Sequence, residues 1–218
     1  MKIVMISDTH NKLNLIIEDL PEGDLLIHAG DATMGGTAQE IINFNRDLGK
    51  VRDKFKYGII FCAGNHDWGF QRDNARAKSF ITNAIYLEDS FVEVEGLKIY
   101  GSPWQPYFFN WAFNLQRGAE IKQKWDLIPE DIDVLITHGP AFGILDSVGP
   151  NQHNPIQKNV GCEELRKKID SLDKLKLHVC GHIHMENGAK KVGNKMFINA
   201  SILNDHYLVA NKPIIYNL

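Results

Sequence analysis

Five short apolar runs, each closed by a polar cluster of Asp, His, Asn or Gly, constrain this chain more than any other feature. They occupy residues 3–6, 25–28, 57–62, 134–137 and 177–180. Runs this short, with no polar alternate face, read as strands covered on both sides. Between them, segments 38–48, 74–83, 116–125 and 163–169 space their apolar residues as helices do. Strands alternating with helices predict an α/β architecture. Two segments break a purely parallel arrangement. Residues 91–97 alternate every second position, as half of an antiparallel hairpin does, and 191–198 read as a second hairpin turning at Gly193-Asn194. Two mixed β-sheets packed as a sandwich and flanked by helices satisfy both signals. At 218 residues, 44% hydrophobic and 23% charged, the chain is long and apolar enough to build this as one domain, 1–218.

The clusters carry the chemistry. In order they are Asp8-Thr9-His10, Gly30-Asp31, Gly64-Asn65-His66-Asp67, Thr137-His138-Gly139-Pro140 and Gly181-His182-Ile183-His184. In α/β sheets, ligands bind beyond the carboxyl ends of the strands, so five such clusters can converge on one crevice. Singly, each has an ordinary reading as a helix cap, a glycine turn or a polar strand end. Five in succession, each after an apolar run, do not. Carboxylate, imidazole and amide oxygen form a mixed ligand set suited to Mn, Fe or Zn, and the absence of thiolate argues against a structural zinc site. Asp67 has two readings, a carboxylate orienting a histidine or a helix cap. Asn199 reads as a contact supporting the ligands or as a turn.

The remaining composition narrows the class. A net charge of -3 argues against extended nucleic acid and leaves room for a small anionic substrate. The basic clusters at 166–168 and 190–191 read as solvated surface, the first flanked by Glu163, Glu164 and Asp170. Three scattered cysteines suit a reducing compartment, with Cys62 and Cys180 as small buried hydrophobes. The strand-like start and the lack of any run of transmembrane length lead to the expectation of a cytoplasmic protein with no membrane partner. The longest irregular stretch, 146–159 with Pro150, His153 and Pro155, reads as a functional or mobile loop.

The five clusters, in this order, resemble the signature of the calcineurin-like metallophosphoesterase superfamily over essentially the whole chain. The segments Tyr100-Gly101-Ser102-Pro103-Trp104-Gln105-Pro106, Asn110-Trp111-Ala112-Phe113-Asn114, Val160-Gly161-Cys162 and Lys176-Leu177-His178-Val179 further resemble its metallophosphoesterase-domain-containing branch of compact phosphodiesterases. Ala141 departs from that branch, which often carries a second proline there. The resemblance implies a four-layer fold, a double β-sandwich flanked by helices. It also implies two divalent metal ions, manganese first, with iron, zinc or magnesium as alternatives. Asp8, His10, Asp31 and His184 would hold one, and Asp31, Asn65, His138 and His182 the other. Bridging by Asp31 suits a carboxylate, which can offer one oxygen to each of two cations.

The implied reaction is hydrolysis of a small phosphodiester, cyclic or other nucleotides included, by a metal-bridging hydroxide. His66 is the implied general acid, with ligand orientation as its other reading. The same core serves phosphomonoesterases and nucleotide pyrophosphohydrolases, and a non-catalytic scaffold of this fold is the third alternative. Trp104, Tyr107, Phe108, Phe109 and Trp111 have two readings, ring faces on which a nucleobase stacks or side chains packed in the core.

Overall fold

Two large sheets, beside two short strand pairs, carry the apolar runs at their parallel centres. A computed structural model describes residues 1–149 and 158–218, so Pro150, His153 and Pro155 of the anticipated loop lie outside the described residues. The first sheet contains β1 (Lys2–Ile6), β2 (Leu25–Ala29), β3 (Ile59–Cys62) and β4 (Ile85–Leu87), all parallel. Then come β5 (Ser90–Val94) and β6 (Leu97–Ser102), the short pair β7 (Gln105–Pro106) and β8 (Asn114–Leu115), and β9 (Val134–Thr137). A second short pair, β10 (Ser147–Val148) and β11 (Lys158–Asn159), precedes β12 (Leu177–Cys180), β13 (Gly188–Val192), β14 (Lys195–Asn199) and β15 (Ile214–Asn217). The second sheet runs β13-β14-β12-β9-β6-β5, parallel from β14 to β6 and antiparallel at both edges. β15 joins β1 antiparallel and completes the first sheet.

Both faces of β1, β2, β3, β9 and β12 are buried, which is why the runs show no alternation. Ile3, Met5, Leu25, Ile27 and Ile60 share one apolar cluster with Ile99, Val134, Ile136, Leu177 and Val179 of the second sheet. The other face of the first sheet, including Val4, Ile6, Leu26 and Phe61, packs with α1 (Ala38–Val51), α2 (Trp68–Arg72) and α3 (Asn74–Phe80). Tyr100, Leu135 and Phe197 pack likewise with α4 (Ala119–Trp125) and α5 (Glu163–Ser171). The result is helix, sheet, sheet, helix, as expected. Thr37 and Glu40 close a capping box at the start of α1, which then buries Ile41, Phe44, Leu48 and Val51 on one stripe.

Both hairpins form where the alternation placed them, turning at Glu95-Gly96 and at Gly193-Asn194. Positive φ at Glu95 (50°) and Gly96 (77°) gives the first the twist that a two-residue connection needs. The third run starts late, at Ile59, because Gly58 turns left-handed with φ 86°. Within the expected irregular stretch 146–159, the described residues include β10 and β11, which pair antiparallel. No helix of the described residues is long and apolar enough to cross a membrane.

Candidate metal centre

The carboxyl ends of β1, β2 and β3 meet those of β9 and β12, so the five clusters face one another across the two sheets. Ser7 bridges Ser201 in parallel, and the backbone N–H of His182 donates to both oxygens of Asp8 at 3.1 and 3.0 Å. His184 Nε2 then stands 3.4 Å from Asp8 Oδ1, His138 Nε2 3.2 Å from Asp31 Oδ2, and Asn65 Oδ1 2.9 Å from His138 Nε2. Ligand atoms of Asp8, His10 and His184 lie within 4.8 Å of one another, as do those of Asp8, Asp31 and His138. The His182 ring centre is 5.1 Å from that of His138. All seven sequence-derived ligand candidates are therefore brought together, His182 the most loosely.

Four imidazoles are oriented in the same way. His10, His66, His138 and His184 donate from Nδ1 to the carbonyl oxygens of Thr33, Met34, Ala29 and Asn204 at 3.2, 2.9, 3.0 and 3.1 Å. Tying Nδ1 to a carbonyl leaves Nε2 to face the floor, the usual arrangement of a histidine prepared to coordinate a metal. His10 Nε2 is buried with no hydrogen-bond partner among the described residues, and its 3.6 Å separation from Asp31 is too long for one. Asp8 and Asp31 are buried with no lysine or arginine ion pair among the described residues. An orphaned imidazole nitrogen beside two buried carboxylates that lack a lysine or arginine partner fits a cationic ligand.

Burial alone would raise both carboxyls. The hydrogen bond and charge of His184, with the charges of His138 and His10, instead hold Asp8 well below the usual carboxylate range. Asp31 is likewise held low, chiefly by His138 and then His10. Burial pulls His138 down, but Asp31 and Asp8 outweigh it and raise it to about 9. His10 and His182 follow burial and fall to about 4. The backbone is strained at the same place, with positive φ at Asp8 (53°), His10 (39°), Asp31 (53°) and His182 (68°). Gly181 permits the closest approach, since a Cβ there would meet Ser7 Oγ at 1.8 Å and Asp8 Oδ2 at 2.2 Å.

Asp67 neither caps α2 with its side chain nor reaches a ligand histidine. It accepts from the backbone N–H of Ala32, Thr33 and Gly64 and so ties the Asp31 loop to the Asn65 loop. Asn199 donates to the carbonyls of Gly181 and Ile183, fixing the last cluster. Sequence reasoning missed Ser7 and Ser201, whose hydroxyls both donate to Asp8 Oδ2, and Tyr207, whose ring stands 4.9 Å from that of His10. No motif surrounds them. The floor opens into a cleft of about 680 Å³ walled by Phe108, Phe109, Asn110, Trp111, Asp205 and Tyr207. The core reading of the aromatic group holds for Trp104, packed against the core, but not for Tyr107, Phe108 and Phe109, which are exposed.

The model of the calcineurin-like phosphoesterase family matches residues 1–186, which contain every cluster just described. The chain belongs to that family. This calcineurin-like phosphoesterase is accordingly a metal-dependent hydrolase of phosphoric esters. It is 39% identical over 240 residues to metallophosphoesterase domain-containing protein 1 of Homo sapiens, covering 100% of this chain and 71% of that protein. It is 36% identical over 247 residues to UPF0046 protein T07D4.2 of Caenorhabditis elegans, covering 100% of this chain and 60% of that one. The solved structure of an archaeal phosphodiesterase aligns with 99% of this chain and 100% of its own, at 18% identity and a TM-score of 0.46.

Proposed function

We propose that this phosphoesterase is a binuclear phosphodiesterase acting on small, singly charged diesters, cyclic or other nucleotides included. The observation that carries the reading is the charge of the cleft. Among the described residues its lining holds no lysine or arginine, and Asp205 adds a negative charge at the wall. A monoester dianion or a pyrophosphate would bring further negative charge with no lysine or arginine of the lining to meet it.

On this reading Asp8, His10, Asp31 and His184 would hold one divalent cation, and Asp31, Asn65, His138 and His182 the other, manganese first among Mn, Fe, Zn and Mg. Two such ions, when bound, supply Lewis-acid neutralisation of the phosphoryl oxygens and lower the pKa of water. The chain's own residues orient the reaction. Asp31 Oδ2 faces both His10 and His138, at 3.6 and 3.2 Å, while its Oδ1 accepts from the His66 N–H, and Ser7 and Ser201 hold Asp8 in place. His66 has Nδ1 committed to Met34 and one ring face covered by Trp111, 4.1 Å away. Nε2 is left to deliver a proton to the leaving oxygen. Residues 1–218 act as a single metallophosphoesterase domain, and three free buried cysteines support a cytoplasmic setting.

The test is manganese-dependent hydrolysis of bis-p-nitrophenyl phosphate beside p-nitrophenyl phosphate. The diester is the expected substrate. Phosphate release from monoesters or pyrophosphates with diesters untouched would install the phosphomonoesterase or pyrophosphohydrolase alternative. Turnover of neither class with any metal would leave the scaffold reading.

A further inference from the structure

Two large apolar rings stand in solvent at the mouth of the cleft. Phe108 is 53% exposed and Phe109 68%, and their centres are 4.4 Å apart in a T-shaped pair. Exposed apolar side chains grouped at a cavity mouth mark a binding surface more often than single ones scattered elsewhere. The segment that carries them is held in place. Asn114 Nδ2 donates to the carbonyls of both Phe108 and Phe109 at 3.1 Å, β7 and β8 pair at its base, and Gln71 accepts from the Phe113 N–H. Phe109 sits at φ 50°, a conformation that bulky residues avoid unless surrounding contacts impose it.

Position and charge identify the occupant. Phe108 lies 6.4 Å from the His182 ring, whereas Trp111 covers the His66 side of the floor. A substituent resting on the phenylalanines is therefore the one that stays on phosphorus while the other leaves toward His66. With no lysine or arginine among the described residues of the cleft wall, an uncharged substituent fits there best. Asn110 and Asp205 supply an amide and a carboxylate at the wall, suited to the N–H and carbonyl edges of a heterocycle rather than to a plain hydrocarbon.

We propose that Phe108 and Phe109 form a nucleobase-binding subsite, which seats the non-leaving nucleoside of a singly charged phosphodiester. The assignment rests on the phosphodiesterase reading for its chemistry and on the exposed, fixed ring pair for its location.

Thymidine 5′-(p-nitrophenyl phosphate) and methyl p-nitrophenyl phosphate share a leaving group and differ in the retained substituent. The manganese-loaded protein should prefer the thymidine ester. The paired substitution Phe108→Ala with Phe109→Ala should shrink that preference in kcat/KM by roughly 10- to 100-fold, mostly through KM, the scale expected when base–aromatic stacking is lost. Phe109→Trp, which keeps a ring, should retain most of it. Equal losses on both esters, or no preference at the outset, would overturn the subsite. Calorimetric binding of thymidine 5′-monophosphate against methyl phosphate separates this inference from the reaction. Tighter nucleotide binding that disappears in the paired variant supports the subsite even if neither ester turns over, in which case the phosphodiesterase reading alone fails. Nucleotide binding no tighter than methyl phosphate, or tighter binding that survives the substitution, overturns it.

Discussion

His138 sets the proton balance of the site. With its folded value near 9 it is charged at neutral pH, hydrogen-bonded through Nδ1 to Ala29 and close to Asp31 through Nε2. To coordinate a metal it must give up that second proton. Metal loading at pH 7 should therefore release about one proton from this residue, with His184, also raised, adding to it. His10 and His182, near 4, are already neutral and release none. Calorimetry in buffers of different ionisation enthalpy reads the number directly, and metal affinity should climb with pH until about 9. Uptake with no proton release from pH 6 to 9 would contradict this picture. The two central residues separate cleanly by metal analysis. Asp31→Asn should lower the content of both metals, whereas His66→Ala should keep metal near the parental content and cut kcat by roughly 10²–10⁴-fold. The ligands were legible because their residue types are scarce at strand ends and recur in series. Ser7, Ser201 and Tyr207 were not, because a serine beside an apolar strand and a tyrosine in a loop without periodicity are ordinary in sequence and acquire meaning only through what lies opposite.

At the scale of elements, the strand-to-loop turns decide whether ligands meet. Gly181→Ala would force a Cβ into Ser7 Oγ and Asp8 Oδ2, so the turn that carries His182 and His184 must shift away from Asp8. The expected outcome is weakened metal binding with secondary structure retained, checked by metal titration beside circular dichroism. Unchanged metal affinity would show that the loop yields more readily than its contacts suggest. In α1, Thr37→Ala removes one half of the capping box and should cost about 1 kcal/mol in urea unfolding without touching metal content. The central strands were readable because they are buried on both faces. β4 and β15 were not anticipated: both lie at sheet edges, and their three or four residues alternate or remain partly exposed. Too little apolar pattern accumulates over that length to separate a strand from a loop.

For the molecule as a whole, two histidines of the same design sit one in each sheet. His28 of β2 pairs with Thr9, and His178 of β12 pairs with Thr137, each at 2.8 Å. Burial lowers both to about 3. Each contributes stability that is complete above the unfolded value of about 6.5 and is lost progressively as pH falls toward 3. His138 works in the opposite sense, contributing stability present below about 6.5 and lost as pH rises through about 9. Asp67, raised to about 6 by burial and then by Asp31, offsets part of the acid-side loss, but one carboxyl against two histidines does not cancel it. The chelated protein should thus be most stable near pH 6.5, with urea midpoints falling on both sides, and a flat profile from pH 4.5 to 9 would refute the assignment.

The meeting of Asp8 with His184 and of Asp31 with His138 joins loops that belong to different sheets. That makes the floor a seam, which should close last and open first. Contacts between chain segments so far apart form late, and interactions absent from the folding transition state act on the escape rate. Metal should therefore slow unfolding many-fold while hardly changing refolding, so that chelation shortens the lifetime of the native chain more than it hinders its formation.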